Sequence, residues 1–203
     1  MAVNEHGTKR DPRVKRTNKL LRQTFQELLE EKNFRSITVQ DIVDRAEINR
    51  ATFYTHFEDK FALLDYSVRE SLQEAFEKKC PDVPALTVRN LRLLAITVCE
   101  FTFSDHCHPS NRNLGPVLFA PRVQQFVYET LVEWFTETKD PATFQITSPE
   151  QAAVAISSVI SGGRLRWLRS KRKQTSEQFV DEMVSFLAPL LSAYFVVDFA
   201  YTE

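Results

Sequence analysis

Apolar residues recur along this chain with the period of a helix. Leu21, Phe25, Leu28 and Leu29 stand at i, i+4, i+7 and i+8, one stripe on a helix expected over about 13–32. Val39, Ile42, Val43 and Ala46 repeat the pattern on a short helix of about 39–46. Thr38 precedes it with Asp41 three residues on, the spacing of a capping box, in which the hydroxyl accepts from a first-turn N–H. A turn at Glu47-Ile48 leads to Asn49, a good N-cap, and to a second short helix through about Tyr54. Asp59 then caps a long helix whose stripe is Phe61, Leu64, Val68, Leu72 and Ala75, ending before Cys80-Pro81.

Beyond Pro84 the pattern changes. From Leu86 to Phe101 apolar residues fall nearly all round a helix, as in a central buried element. Asp105 to Pro116 reads as a loop, and Pro121 suits the first turn of a helix that carries Val123, Phe126, Val127, Leu131 and Phe135 inward. Ser148-Pro149-Glu150-Gln151 is an N-cap, a proline at N1 and a capping glutamine, opening a helix to about Ser170. Thr175-Ser176-Glu177-Gln178 opens a last helix with Phe179, Met183, Leu187, Leu190 and Tyr194 along it, which Pro189 should kink. No segment alternates with period two for long, so the expected class is all-α.

Composition narrows the functional classes. At 203 residues, with 43% hydrophobic residues and only 4 Gly, the chain is neither low-complexity nor disordered, and a Gly-rich nucleotide cradle is unexpected. Three cysteines without a CxxC pair fit a reducing compartment. The polar stretch Met1 to Arg13 lacks the apolar run of a signal peptide, and no long uncharged apolar window suggests a membrane span. The expectation is a cytoplasmic protein with no membrane partner. The net charge of −1 hides a basic block: Lys9, Arg10, Arg13, Lys15, Arg16, Lys19 and Arg22 face Asp11 alone.

Two short helices joined by a tight turn, behind a basic first helix, make a helix-turn-helix by spacing alone. The second helix needs an apolar base and a polar outer face to enter a major groove. Phe53 and Phe57 suit the base, while Arg50, Thr52, Tyr54 and His56 remain to face DNA. Thr38 and Asn49 head the two helices, where free N–H groups suit phosphate oxygens. Lys15 and Arg16 are candidates for phosphate proximity. As alternatives, Tyr54 and Phe57 are both core aromatics, His56 serves equally as a surface histidine, and the basic block is a solvated face.

The run Thr38-Val39-Gln40-Asp41-Ile42-Val43-Asp44-Arg45-Ala46, followed by Ala51-Thr52-Phe53-Tyr54-Thr55-His56-Phe57-Glu58-Asp59-Lys60 with Leu63-Leu64 behind it, resembles the DNA-binding head of the TetR family of transcription regulators. The resemblance covers about 13–65. It implies nine or so helices: a basic arm over 1–12, a helix-turn-helix domain over 13–60 and a regulatory and dimerisation domain over 61–203. It also implies a homodimer on a palindromic operator, most simply a repressor released by a small-molecule effector. A coactivator or scaffold of the same fold, acting through a protein partner, is the alternative. On this resemblance Tyr54 and Lys60 look like phosphate clamps, Thr38 like a phosphate contact, and Arg50, Thr52 and His56 like groove-facing residues. The helix from Asp59 to Lys79 would join head and body as a lever. One position departs from the family: where glycine is usual in the turn, this chain has Glu47, and a non-glycine residue at positive φ costs about 1–2 kcal/mol.

In the second half, Cys99 and the run Asp105-His106-Cys107-His108 contain metal-ligand types, but adjacent residues cannot all face one ion and the spacing supports no site. No metal, cofactor or enzymatic residue set is expected. Phe101, Phe103, Phe119, Phe126, Trp134, Phe135 and Trp167 are numerous enough to line a pocket for a hydrophobic or aromatic effector, though each singly reads as core. Gly162-Gly163 inside a helix is costly unless a close approach offsets it. The family pairs its last two long helices across a dyad, which makes Ile160, Gly162, Gly163, Phe179, Met183, Leu187 and Leu190 the expected dimer interface. The Gly-Gly-x-x-x-Trp-Leu arrangement also resembles a subgroup that includes coactivators of dihydroxyacetone kinase. Arg164, Arg166, Arg169, Lys171, Arg172 and Lys173 form a basic helix end suited to its negative dipole, or else to an acidic partner.

Overall fold

The computed structural model describes residues 11–81, 86–101, 118–137, 148–170 and 173–194, with 188–194 by backbone only. Among them are eight α-helices and no strand: α1 (Pro12–Glu31), α2 (Val39–Arg45), α3 (Arg50–His56), α4 (Lys60–Lys79), α5 (Val88–Glu100), α6 (Ala120–Glu137), α7 (Pro149–Arg169) and α8 (Ser176–Tyr194), with a 3₁₀ turn at Phe34–Ser36. Two compact units divide between Ser67 and Val68, inside α4.

The first unit, the head, is built by local signals. Asp11 caps α1 by accepting from the Arg13 N–H, with Pro12 in the first turn. The α1 stripe Leu21, Phe25, Leu28 and Leu29 is at most 1% exposed. Ile42 and Val43 of α2 and Phe53 of α3 are buried as well, and α2 packs on both α1 and α3. Arg45 forks onto Glu31 through both guanidinium nitrogens at 2.9 and 2.8 Å, tying α2 to the end of α1. Hydrogen bonding to Arg45 holds the Glu31 carboxyl below its ordinary range.

The second unit packs α6 on α7 and α5 on α8, with α5 also touching α7 and α7 touching α8. The central position expected for α5 is borne out: Leu91, Leu94, Ala95, Ile96, Val98 and Cys99 are buried. Burial pushes the Cys99 thiol up to about 11, which keeps it protonated and inert near neutral pH. Ser148 and Gln151 close the expected capping box at α7, and Thr175 and Gln178 exchange the same bonds at α8. The helix α8 runs on through Pro189 to Tyr194. Glu100 gathers the ends of three helices by accepting from Lys79 of α4 at 2.8 Å and from the Ser176 hydroxyl of α8 at 2.7 Å.

Packing corrects several expectations for this unit. Ile160, Met183 and Leu187, expected at a dimer interface, are 0%, 9% and 4% exposed within one chain, so they belong to its own core. Gly163 faces inward as well. A Cβ there would stand 3.1 Å from Met183 Sδ and 3.4 Å from Phe179 Cζ, so the close approach that glycine permits is between α7 and α8 of one protomer. Phe179 is half-buried and stacked on Trp167 at 6.4 Å. Gly162 alone looks outward, and a Cβ at that position would meet nothing within 4 Å. The Leu190 side chain lies outside the described residues. Arg164 is not part of an exposed basic end: it is 8% exposed and donates to Val98 O at 2.7 Å and Phe101 O at 2.8 Å, capping the C-terminus of α5. Phe119, Phe126, Trp134, Phe135 and Trp167 are buried in this unit. The segment Asp105-His106-Cys107-His108, together with Phe103, Lys171 and Arg172, lies outside the described residues. No group of three metal-ligating residues occurs among those described, and no described helix is long and apolar enough to cross a membrane.

Candidate nucleic-acid interface

The helix-turn-helix begins with reciprocal caps. Thr38 Oγ1 accepts from the Asp41 N–H at 3.1 Å, and Asp41 Oδ2 accepts from the Thr38 N–H at 2.8 Å and from its hydroxyl at 2.7 Å. Lys32 adds a 2.6 Å ion pair to the same carboxylate. These bonds, led by Lys32 and then by Thr38, hold the Asp41 carboxyl far below its usual value of 3.8. Thr38, expected at a phosphate, is exposed but has both its hydroxyl and its N–H committed to Asp41. Asn49 likewise spends its side-chain oxygen on the Ala51 N–H at 2.8 Å, as the N-cap of α3.

Between the two helices the expected strain is present: Glu47 sits at φ 53°, the one positive-φ non-glycine residue among those described. The Glu47 N–H reaches Asp44 O at 3.3 Å and the Ile48 N–H reaches Val43 O at 3.1 Å. That pair of bonds is a Schellman cap, whose left-handed position glycine fills best. The glutamate is tolerated because two backbone bonds fix the turn.

Helix α3 then divides into faces. Phe53 is fully buried and Phe57 is 7% exposed, packed on Tyr66 at 5.4 Å, so both form the apolar base. Outward stand Arg50 and Tyr54, the latter 47% exposed despite its aromatic ring. Arg50 Nη2 donates to Tyr54 Oη at 3.1 Å, and its guanidinium lies 5.6 Å from the ring centroid. The Tyr54 ring meets Phe53 edge-on at 5.5 Å. A rigid ring on a buried base therefore carries the guanidinium. Ala51 and Thr55 share the outward side. Neither is among the residues expected at DNA, although both follow from the helical spacing of Arg50 and Tyr54. Thr52 is half-buried on the flank.

Two other expected contacts are placed differently. His56 is half-buried, and its Nδ1 lies 2.7 Å from Oδ1 of the buried Asn18, so it joins the end of α3 to the middle of α1. Asn18 is absent from the expected site, and its one sequence signal is a polar position inside the apolar stripe of α1. This bond sets the exposed Lys15, Arg16 and Lys19 of α1 close along the chain to the residue that touches α3. Lys60, expected as a phosphate clamp, donates to three backbone carbonyls instead: Phe34 O at 3.0 Å, Arg35 O at 3.2 Å and Ile37 O at 2.6 Å. An ammonium has three N–H groups, and all are used. Burial holds its pKa below the ordinary lysine value, with Asp41 and Asp59 opposing.

The arrangement is a short helix with a fixed apolar base, a cation steered outward by an aromatic ring, and a basic first helix alongside. It suits base edges flanked by phosphates. Comparisons with known proteins agree. Residues 26–66 match the family model of bacterial regulatory proteins of the tetR family. The uncharacterized HTH-type transcriptional regulator YxbF of Bacillus subtilis (strain 168) is 38% identical over 68 residues, covering 33% of this chain and 18% of YxbF. The HTH-type transcriptional regulator EthR of Mycolicibacterium smegmatis is 28% identical over 118 residues, covering 57% of this chain and 54% of EthR. The matches thus span about a fifth and about half of those relatives' lengths. A solved TetR-family transcriptional regulator from Pectobacterium atrosepticum shares the fold, with a TM-score of 0.50 at 18% identity over 94% of this chain and 99% of that one.

Proposed function

We propose that this chain, whose residues 26–66 match the model of bacterial regulatory proteins of the tetR family, is a transcription regulator of that family that binds double-stranded DNA sequence-specifically through α3, as a homodimeric repressor released by a small-molecule effector. One observation carries the reading: Arg50 is exposed, held by Tyr54, and backed by the buried Phe53 and Phe57. A guanidinium so placed can fork onto guanine O6 and N7, which discriminates against other bases by about 1–3 kcal/mol. Lys15, Arg16 and Lys19 supply cations for phosphate.

The homodimer rests on the outer surface of α7 and α8. Val159 and Phe186 are 38% and 68% exposed, and Gly162 leaves room for a backbone to approach. Apolar groups on the last two long helices suit a second copy related by a two-fold axis, which would double the recognition helix for a palindromic site. For the effector, an open groove of about 300 Å³ runs between α6 and α7, lined by Pro121, Gln124, Gln125, Tyr128, Val154 and Ser157.

Selection of genomic fragments by the purified full chain, read by sequencing, tests the proposal. A palindromic motif with half-sites about 34–36 Å apart, one turn of duplex, is the expected result. Equal retention of all duplexes would overturn it.

A further inference from the structure

We propose that Lys60 is a positioning residue for DNA binding, an internal staple that closes the helix-turn-helix at its two ends rather than a ligand of phosphate. The inference rests on the DNA-binding reading above and changes the task given to one residue within it. Lys60 is the first residue of α4, just past the recognition helix, and its ammonium reaches the carbonyls of Phe34, Arg35 and Ile37, just ahead of α2. Ile37 is followed directly by Thr38, the N-cap of α2. The chain therefore enters the motif and leaves it at one point, with α2, the turn and α3 enclosed between.

Each part of the contact has a physical reason. The 3₁₀ turn Phe34–Ser36 is three residues long, and its Phe34 carbonyl, which accepts the Ile37 N–H at 3.2 Å, has a second lone pair, as every carbonyl oxygen does. A cation there meets both the open lone pairs and the negative end of the turn. The ammonium also lies 4.8 Å from the Phe34 ring centroid and 5.9 Å from that of Phe61. Phe34 is 3% exposed and packs edge-on against Phe25 of α1 and Phe61 of α4. The anchor is thus part of the core of the head. A phosphate oxygen would have to replace at least one carbonyl already at hydrogen-bond distance. Three carbonyls converging on one point suit the tetrahedral donors of an ammonium, whereas a guanidinium spreads its donors in a plane.

The test compares the full chain with Lys60→Met and Lys60→Arg on the duplex recovered by selection, well below the unfolding temperature. Loss of a charge-assisted contact that sets the angle of α2 and α3 should weaken binding roughly tenfold or more. Lys60→Arg should fail to restore it, and the slope of log Kobs against log salt should stay at the wild-type value. Amide exchange over 34–45 should rise in both variants. Three results would overturn the proposal: rescue by Lys60→Arg, a salt slope smaller by about 0.9 as for one lost phosphate contact, or unchanged affinity in the folded variants. Lys60→Arg keeps charge and stem and carries the test if Lys60→Met does not fold. Should the wild-type chain bind no duplex, the DNA reading falls while the exchange measurement still judges the staple, and unchanged exchange over 34–45 would refute it.

Discussion

On α3 the side chains left to solvent are Arg50, Ala51, Tyr54 and Thr55, whereas on α7 and α8 they include Val154, Val159 and Phe186. Both units also turn one cation inward onto the carbonyls that end a helical segment: Lys60 on the 3₁₀ turn and Arg164 on α5. Cations of like appearance in a sequence are told apart by what lies within their reach. A basic residue within reach of helix-end carbonyls is spent on them, because the end of a helical segment gathers acceptor lone pairs and the negative end of its dipole. Arg50, at the start of its helix, donates to the Tyr54 hydroxyl instead and stays outward. The polar surface of the head and the apolar surface of the body then suit different partners, a charged duplex and a second copy.

The contrast between core and surface in the body gives the largest expected effect. Leu187→Ala should destabilise the chain by about 2–5 kcal/mol at any concentration, since Leu187 is buried. Its neighbour Phe186→Ser should leave the fold intact and shift sedimentation toward the single chain. If Leu187→Ala instead altered only association, the division between inner and outer faces would be wrong.

In the head, Asp41→Ala removes the acceptor for the Thr38 N–H and should cost about 1 kcal/mol in chemical unfolding. Its effect depends on pH with a definite sign. The folded carboxyl titrates below its unfolded value near 3.8, so its contribution is full above that value and fades as pH falls toward the lower folded one. The gap between wild type and variant should therefore shrink in acid. A gap that widens there would contradict the assignment.

In the Phe186→Ser background, where the chains are single, Gly162→Ala should stabilise α7 by about 1 kcal/mol in thermal unfolding, because a Cβ there meets nothing of its own chain. Glu47→Gly should gain less than about 1 kcal/mol, because relief of positive φ is offset by the greater freedom of glycine when unfolded. Loss of stability in Glu47→Gly would show that the glutamate side chain does more than occupy the turn.

The head is the more legible region. Its caps at Thr38, Asn49 and Asp59 and its turn at Glu47 are local, and a residue within four positions decides each one. The surroundings of Lys60 and His56 are hidden from local pattern, because their partners Ile37 and Asn18 are separated from them by 23 and 38 positions. The body is legible as helices but not as faces. Ile160, Met183 and Leu187 have the same apolar character whether they meet their own chain or a second one, and periodicity does not distinguish the two. Gly163 does mark a close approach, as its place inside a helix implies, but to Met183 and Phe179 of its own chain.

The central claim is that the outward face of α3 reads bases through Arg50. Repeating the selection with Arg50→Ala and comparing the enriched motif with the wild-type motif tests it most directly. The account predicts that base preference is lost at one position in each half-site while the remainder of the motif and its spacing persist. An unchanged motif at every position would contradict it.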